Sequence, residues 1–233
     1  MPTPITDETS ILNEAAKVRR NLDQDNHDRW GFAIYRCRYG NDAAWDRFKD
    51  IITTRAQKEV RRLGQSEILD NLEWTFFEDR EISDNATTGF LREHLNQWKS
   101  AKMQREQPRA TRPTETMLLK TPRYPSFIRV NREALESVLS APGNRDADPG
   151  STATGWVHFV DSKWTAEIDD VDSDTEEFDM PGMDFEPIEG CREKNVGYME
   201  VATGSICTEL YSLLDDPEMR RVIYKRPPEM AVV

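Results

Sequence analysis

Trp30–Cys37, WGFAIYRC, is the stretch from which the architecture can be read. Under the two-residue period of a strand, Phe32, Ile34 and Arg36 face one way and Ala33, Tyr35 and Cys37 the other. Both sets are mostly apolar, which predicts a central strand covered on both sides. Tyr39-Gly40-Asn41 then reads as a turn, with Asn41 as a helix cap and Asp42 in the first helical turn. Trp45, Phe48, Ile51 and Ile52 recur at helical spacing along 42–63, and Gly64 ends that helix. Leu72–Glu78, LEWTFFE, is the next strand, so a strand–helix–strand unit opens the domain.

The same patterns extend in both directions. A helix is expected over 8–22, another from Asn85 or Thr87 to about Met103, and shorter ones over 132–139 and 205–214. Strands are expected at 126–130, 155–161 and 197–202. This order predicts an α+β fold, an α/β sandwich in which helices pack on a mixed sheet of four to five strands. Residues 1–29 read as an N-terminal helical arm and 30–233 as a single domain. A basic, proline-containing linker at 104–123 and an acidic, disordered insertion at 167–190 interrupt that domain.

Composition narrows the class. The chain has 233 residues, of which 37% are hydrophobic and 9% aromatic, enough for a real core. No apolar run approaches membrane-spanning length. Three cysteines without a CxxC spacing, and an opening segment without a secretory pattern, lead to the expectation of a cytoplasmic protein. The net charge of −12 is unevenly distributed. Residues 167–189 hold eleven acids and no base, leaving the rest of the chain near neutral. Asp170, Asp172 and Asp174 begin like a calcium loop, but Thr175 and Pro181 stand where glycine and glutamate are required. Histidines 27, 94 and 158 are too far apart in sequence to suggest a zinc site. The reading therefore includes no metal and no cofactor.

Candidate chemistry gathers at the ends of the first two strands. If they are parallel neighbours, their C-terminal ends share one sheet edge, where open α/β sheets bind ligands. That edge would collect Arg36, Arg38 and Tyr39 with Glu78, Asp79 and Arg80. Glu78 follows Trp74 and Phe76 on one strand face, which leaves two functional options: a carboxyl of raised pKa acting as general acid or base, or a carboxylate holding a guanidinium by a bidentate pair. The plainer alternative is an Arg36–Glu78 salt bridge that closes the edge. Separately, Arg55, Lys58, Arg61 and Arg62 fall on one helical stripe, and 99–123 adds a net +5, together a candidate surface for a phosphate backbone. The alternative there is a solvated helix face.

The run from Trp30 to Phe48 resembles the opening of a group of fungal cytosolic proteins in which a Y-R-x-x-Y strand leads into an acid-containing turn and a helix with Trp or Phe. LEWTFFED at 72–79, FLREHLNQW at 90–98 and the strand–helix at 127–139 are similar to later parts of that group. The resemblance covers about residues 30–160 and extends to the fungal arginine-containing cyclodipeptide synthases. It implies a tRNA-dependent aminoacyl transferase of specialised metabolism that joins an arginyl group to a second amino acid. The resemblance carries no set of catalytic residues with it. In an aminoacyl-transfer reading of the strand ends, Glu78 and Asp79 recognise an arginyl guanidinium or shuttle a proton, Tyr39 joins them as catalytic, and Tyr35, Arg36, Arg38 and Trp74 bind the small-molecule substrate. Arg55, Lys58, Arg61 and Arg62 then meet aminoacyl-tRNA. Two other readings stay open: an interaction module that binds a protein partner through the acidic loop, and a small-molecule enzyme using acid–base catalysis in the same crevice.

Overall fold

A computed structural model describes residues 12–106, 121–142, 154–165, 185–216, 218–231 and 233. The reading of 107–120 as a linker and most of the acidic insertion, 167–184, lie outside the described residues.

The described chain runs α1 (Glu14–Asp25), β1 (Ala33–Arg36), α2 (Asp42–Arg62), a 3-10 turn (Ser66–Asn71), β2 (Thr75–Phe77), α3 (Arg80–Ser83) and α4 (Thr88–Glu106). It continues through β3 (Ser126–Val130), α5 (Arg132–Ser140), β4 (Trp156–Asp161), β5 (Tyr198–Ala202), α6 (Thr208–Leu213), α7 (Met219–Ile223) and β6 (Met230–Ala231). This is an α+β fold with one mixed sheet, ordered β2-β1-β3-β4-β5-β6. β1 lies parallel to both β2 and β3, β4 is antiparallel to β3 and β5, and β6 is parallel to β5. The sheet has one strand more than expected, because two residues of the C-terminal segment pair with β5.

The alternation read in WGFAIYRC is present on both faces. Phe32 and Ile34 join Ile128, Val130, Val157, Phe159, Met199 and Val201 beneath α1, α2, α5 and α6. Ala33, Tyr35 and Cys37 join Phe127, Val160 and Tyr198 beneath Leu91 and Leu95 of α4. We call these the α2 face and the α4 face. Segment 14–25 is no separate arm: Ala15, Val18 and Leu22 enter the α2-face core, and α1 packs on α6. Gly31 lets β1 approach β2, since a Cβ there would lie 2.6 Å from the Glu73 carbonyl oxygen and the backbone has φ +107°.

Arg123, read from sequence as part of a basic linker, is a buried tie with 0% exposure. Its Nε donates to Glu106 Oε2 at 2.9 Å, and its Nη2 donates to Glu106 Oε1 at 3.1 Å and to Thr75 Oγ1 at 3.0 Å. Its Nη1 donates to the Glu73 carbonyl at 2.8 Å. One guanidinium thus ties the end of α4 to β2, with a near-complete set of donors satisfied.

Candidate functional site

The connection from β1 to β2 runs through α2 on one face, and that from β2 to β3 runs through α4 on the other. The C-terminal ends of β1 and β2 lie at one sheet edge, and in the order β2-β1-β3-β4 the connections leaving β1 and β3 diverge, so the usual place for a crevice is between β1 and β3 at that edge. The parallel register Tyr35↔Phe77 brings the ends of β1 and β2 together and so meets the condition on which the sequence reading of this edge rested. The strand period then divides the candidate residues. Arg36, Trp74 and Glu78 belong with the α2 face, and Tyr35 belongs with the α4 face. Arg36 and Tyr35 do not line one pocket.

On the α2 side the corner is closed by internal partners. Glu78 Oε1 accepts from Trp45 Nε1 at 2.7 Å and from Lys49 Nζ at 2.9 Å. Burial pushes the Glu78 carboxyl up, but these two hydrogen bonds and the Lys49 charge outweigh it, so its pKa is lowered instead of raised. Arg36 Nη2 pairs with Asp42 Oδ1 at 2.6 Å, so the expected Arg36–Glu78 bridge is replaced by two separate pairs. The Arg36 guanidinium also lies 4.4 Å from the Tyr39 ring centroid. The Tyr39 hydroxyl is 2.8 Å from Ser83 Oγ. Asp79 caps α3, its carboxylate accepting from the Glu81 backbone N–H at 3.0 Å. Trp74 stacks on Phe32 with centroids 6.3 Å apart.

On the α4 side Tyr35 is fully buried and stacks on Phe77 at 4.5 Å. Its hydroxyl is 2.7 Å from His94 Nδ1. Burial raises the Tyr35 pKa, so the phenol keeps its proton, and the direction of its hydrogen bond with His94 is set by the imidazole tautomer. Burial lowers the His94 pKa, with Asp79 opposing. His94 shares one side of α4 with Leu91, Leu95 and Trp98, but its tyrosine partner lies 59 residues away, so no local signal marks the pair.

An open hollow of about 330 Å³ lies at the same sheet edge, beside the ends of the parallel pair β1 and β3. The β1–α2 turn contributes Arg38, Tyr39, Gly40, Asn41 and Ala44. The face of α5 contributes Arg132, Leu135, Glu136 and Leu139. Asn41 Oδ1 accepts from the Ala44 N–H at 3.0 Å, so the positive end of the long α2 helix borders the hollow. Arg132 and Glu136 are exposed and Arg38 is half-buried. The hollow thus offers two guanidinium groups, one carboxylate, one phenol ring and an apolar floor. Of the sequence-predicted site residues, Arg38 and Tyr39 meet here. Arg132 and Glu136 were not singled out, because they read as the solvated side of a short helix.

The basic stripe separates in the structure. Lys58, Arg61 and Arg62 are exposed on α2, with Arg62 held by both Glu59 oxygens at 2.8 and 2.9 Å. Arg55 instead points into the protein and is 8% exposed. No cluster of metal-ligating side chains exists among the described residues, and no described helix is long and apolar enough to cross a membrane.

Comparison with known proteins found no matching family model, no matching curated protein and no matching solved structure.

Proposed function

We propose that the protein is an aminoacyl transferase that draws an arginyl group and a second amino acid from charged tRNA into a cyclic dipeptide, with its reacting centre at the C-terminal edge of β1 and β3. The observation that carries this reading is the hollow in which Arg38, Tyr39, Arg132 and Glu136 converge at that edge. Glu136 suits the guanidinium of an arginyl group by charge-assisted hydrogen bonds. The Tyr39 ring suits the same group by stacking, as it already does for Arg36. Arg38 and Arg132 suit the phosphates that lead to an acceptor end. Lys58 and Arg61 lie roughly 25 Å further along α2, at 1.5 Å per residue, on a line a bound acceptor stem can follow.

An ester-activated substrate needs no phosphate-binding loop. The amine of one aminoacyl ester attacks the ester carbonyl of the other, forming the first amide and releasing one tRNA as its hydroxyl. The free amine of the resulting dipeptidyl ester then attacks the remaining ester carbonyl, closing the ring and releasing the second tRNA, and each leaving oxygen takes up the proton its attacking amine gives up. In this reading Glu78 is a support beneath the site, because Lys49 and Trp45 hold its carboxylate ionised.

Mass spectrometry of a bacterial culture expressing the protein tests the proposal. An arginine-containing diketopiperazine should accumulate with the wild type and fall at least tenfold in Arg38→Ala and Glu136→Gln. Soluble, folded protein without any such product would overturn it. A second reading, a non-catalytic interaction module, is favoured by the internal pairing of Glu78, Arg36, Asp79 and Tyr39 at the β1–β2 corner. It predicts no product and a partner retained by charge-altered Glu78 variants.

A further inference from the structure

Arg55 is an anomaly in electrostatic terms. It is 8% exposed, and its Nη1 donates to Thr203 Oγ1 at 3.0 Å and the Thr154 carbonyl at 3.3 Å. Its Nε and Nη2 are buried and have no hydrogen-bond partner, and no carboxylate among the described residues forms a salt bridge with it. A guanidinium carries five donors and keeps its charge at any physiological pH. A buried charge without a counter-charge is strongly unfavourable, so native proteins pair such groups or give them to a ligand. The other deeply buried arginines follow that rule: Arg36 has Asp42 and Arg123 has Glu106.

The surroundings suit an oxyanion. Thr203-Gly204-Ser205 forms the turn that leaves the C-terminal end of β5 and leads into α6, at the edge of the sheet where parallel strands present ligand sites. Thr154, Thr203, Ser205 and Thr208 there are buried, whereas Gly204 is partly exposed and opens the turn to solvent. Thr208 Oγ1 is the one hydroxyl of this turn that is buried without a hydrogen-bond partner, and Oε2 of the neighbouring Glu209 is a buried carboxylate oxygen that also has none.

We infer that Arg55, framed by the hydroxyl-bearing turn at Thr203–Thr208, is a binding site for a small oxyanion, a phosphate or carboxylate group, separate from the Arg38–Glu136 hollow. The inference is independent of the aminoacyl-transfer reading. The unsatisfied Nε and Nη2 form the side of the guanidinium fork that takes two oxygens of such a group in a bidentate pair.

Thermal unfolding of the full chain at fixed ionic strength tests it, with sodium phosphate, sodium acetate or sodium chloride as the varied salt. Phosphate or acetate should raise the midpoint, chloride should not, and the stronger of the two identifies the group. At a hundredfold excess over Kd the rise expected for a chain of this size is about 5–10 °C. Arg55→Met should lose that increment while melting, in chloride, at or above the wild type, because an apolar chain of similar length replaces an uncompensated charge. Arg55→Lys should fold and respond weakly, lacking the planar fork. Equal responses of wild type and Arg55→Met, or none in either, would overturn the inference. So would a marked fall in the Arg55→Met midpoint without any oxyanion response, which would make Arg55 a self-sufficient tie to Thr154 and Thr203.

Discussion

The two faces of the sheet obey different rules. The α2 face is an apolar layer of aromatic and aliphatic side chains from four helices. The α4 face carries a polar row across neighbouring strands, Tyr35–Arg129–His158–Glu200, set by the strand register. Arg129 Nη1 in that row donates to Thr88 Oγ1 at 3.0 Å and to Glu189 Oε1 at 2.8 Å. His158 is 6% exposed, and its Nδ1 has no hydrogen-bond partner. Apolar packing is tolerant of detail and independent of pH, whereas buried polar rows are specific and sensitive to proton activity. The difference places the sheet's own buried polar row on the α4 face and its bulk cohesion on the α2 face, where Arg55 of α2 is the exception.

This contrast can be broken by substitution. The largest effect should come from Arg123→Ala on the α4 side, which strands Glu106 and the Glu73 carbonyl. A loss of about 3–5 kcal/mol by urea unfolding is expected. Ile34→Ala on the α2 face should cost about 3 kcal/mol, with the same loss at pH 5 and pH 8. An equal loss from Arg123→Ala and from an exposed arginine such as Arg61→Ala would end the distinction.

His158 sharpens it. Burial is the main cause that lowers its pKa from 6.5 to about 4, with Arg129 acting in the same direction. The unfolded chain therefore binds a proton between pH 6.5 and 4 that the folded chain refuses, and stability falls as pH drops through that window. The loss approaches a value on the order of 3 kcal/mol. His158→Asn should flatten this part of the stability–pH curve relative to wild type, and an unchanged slope would contradict the assignment. The smallest effect belongs to Glu78 at the rim of the α2 face. Its side chain is 38% exposed, and Glu78→Ala should cost no more than about 1 kcal/mol. That contribution is present above the carboxylate's ordinary pKa and is lost as pH falls below it.

The legibility of these features followed their range in sequence. Trp30–Cys37 shows its alternation within eight residues, so both faces of β1 and its central place could be read directly. Asn41 and Asn131 announce their helices because capping is local: each accepts from the backbone three residues on. The strand–helix–strand unit of β1, α2 and β2 was legible through two apolar runs and the helix between them, while the parallel pairing of the strands entered only as a condition. What stayed hidden was long-range pairing of polar groups. Arg123 looked like one more base in a proline-rich stretch, since nothing local indicates that Glu106, Glu73 and Thr75 enclose it. Arg55 fell on an apparent basic stripe because i, i+3 spacing cannot show that the helix rolls that position inward. Glu78 was read as an isolated carboxylate because Trp45 and Lys49 reach it from a helix 29 to 33 residues earlier. β6 escaped notice because two residues carry no period.

In the proposed function, chemistry belongs to the Arg38–Glu136 hollow and the Glu78 corner supports it. The direct test is the yield of arginine-containing cyclic dipeptide per amount of folded protein, compared between Glu136→Gln and Glu78→Gln. The account predicts that Glu136→Gln loses the product while Glu78→Gln keeps most of it. Loss in Glu78→Gln with retention in Glu136→Gln would return the chemistry to the β1–β2 corner and contradict the account.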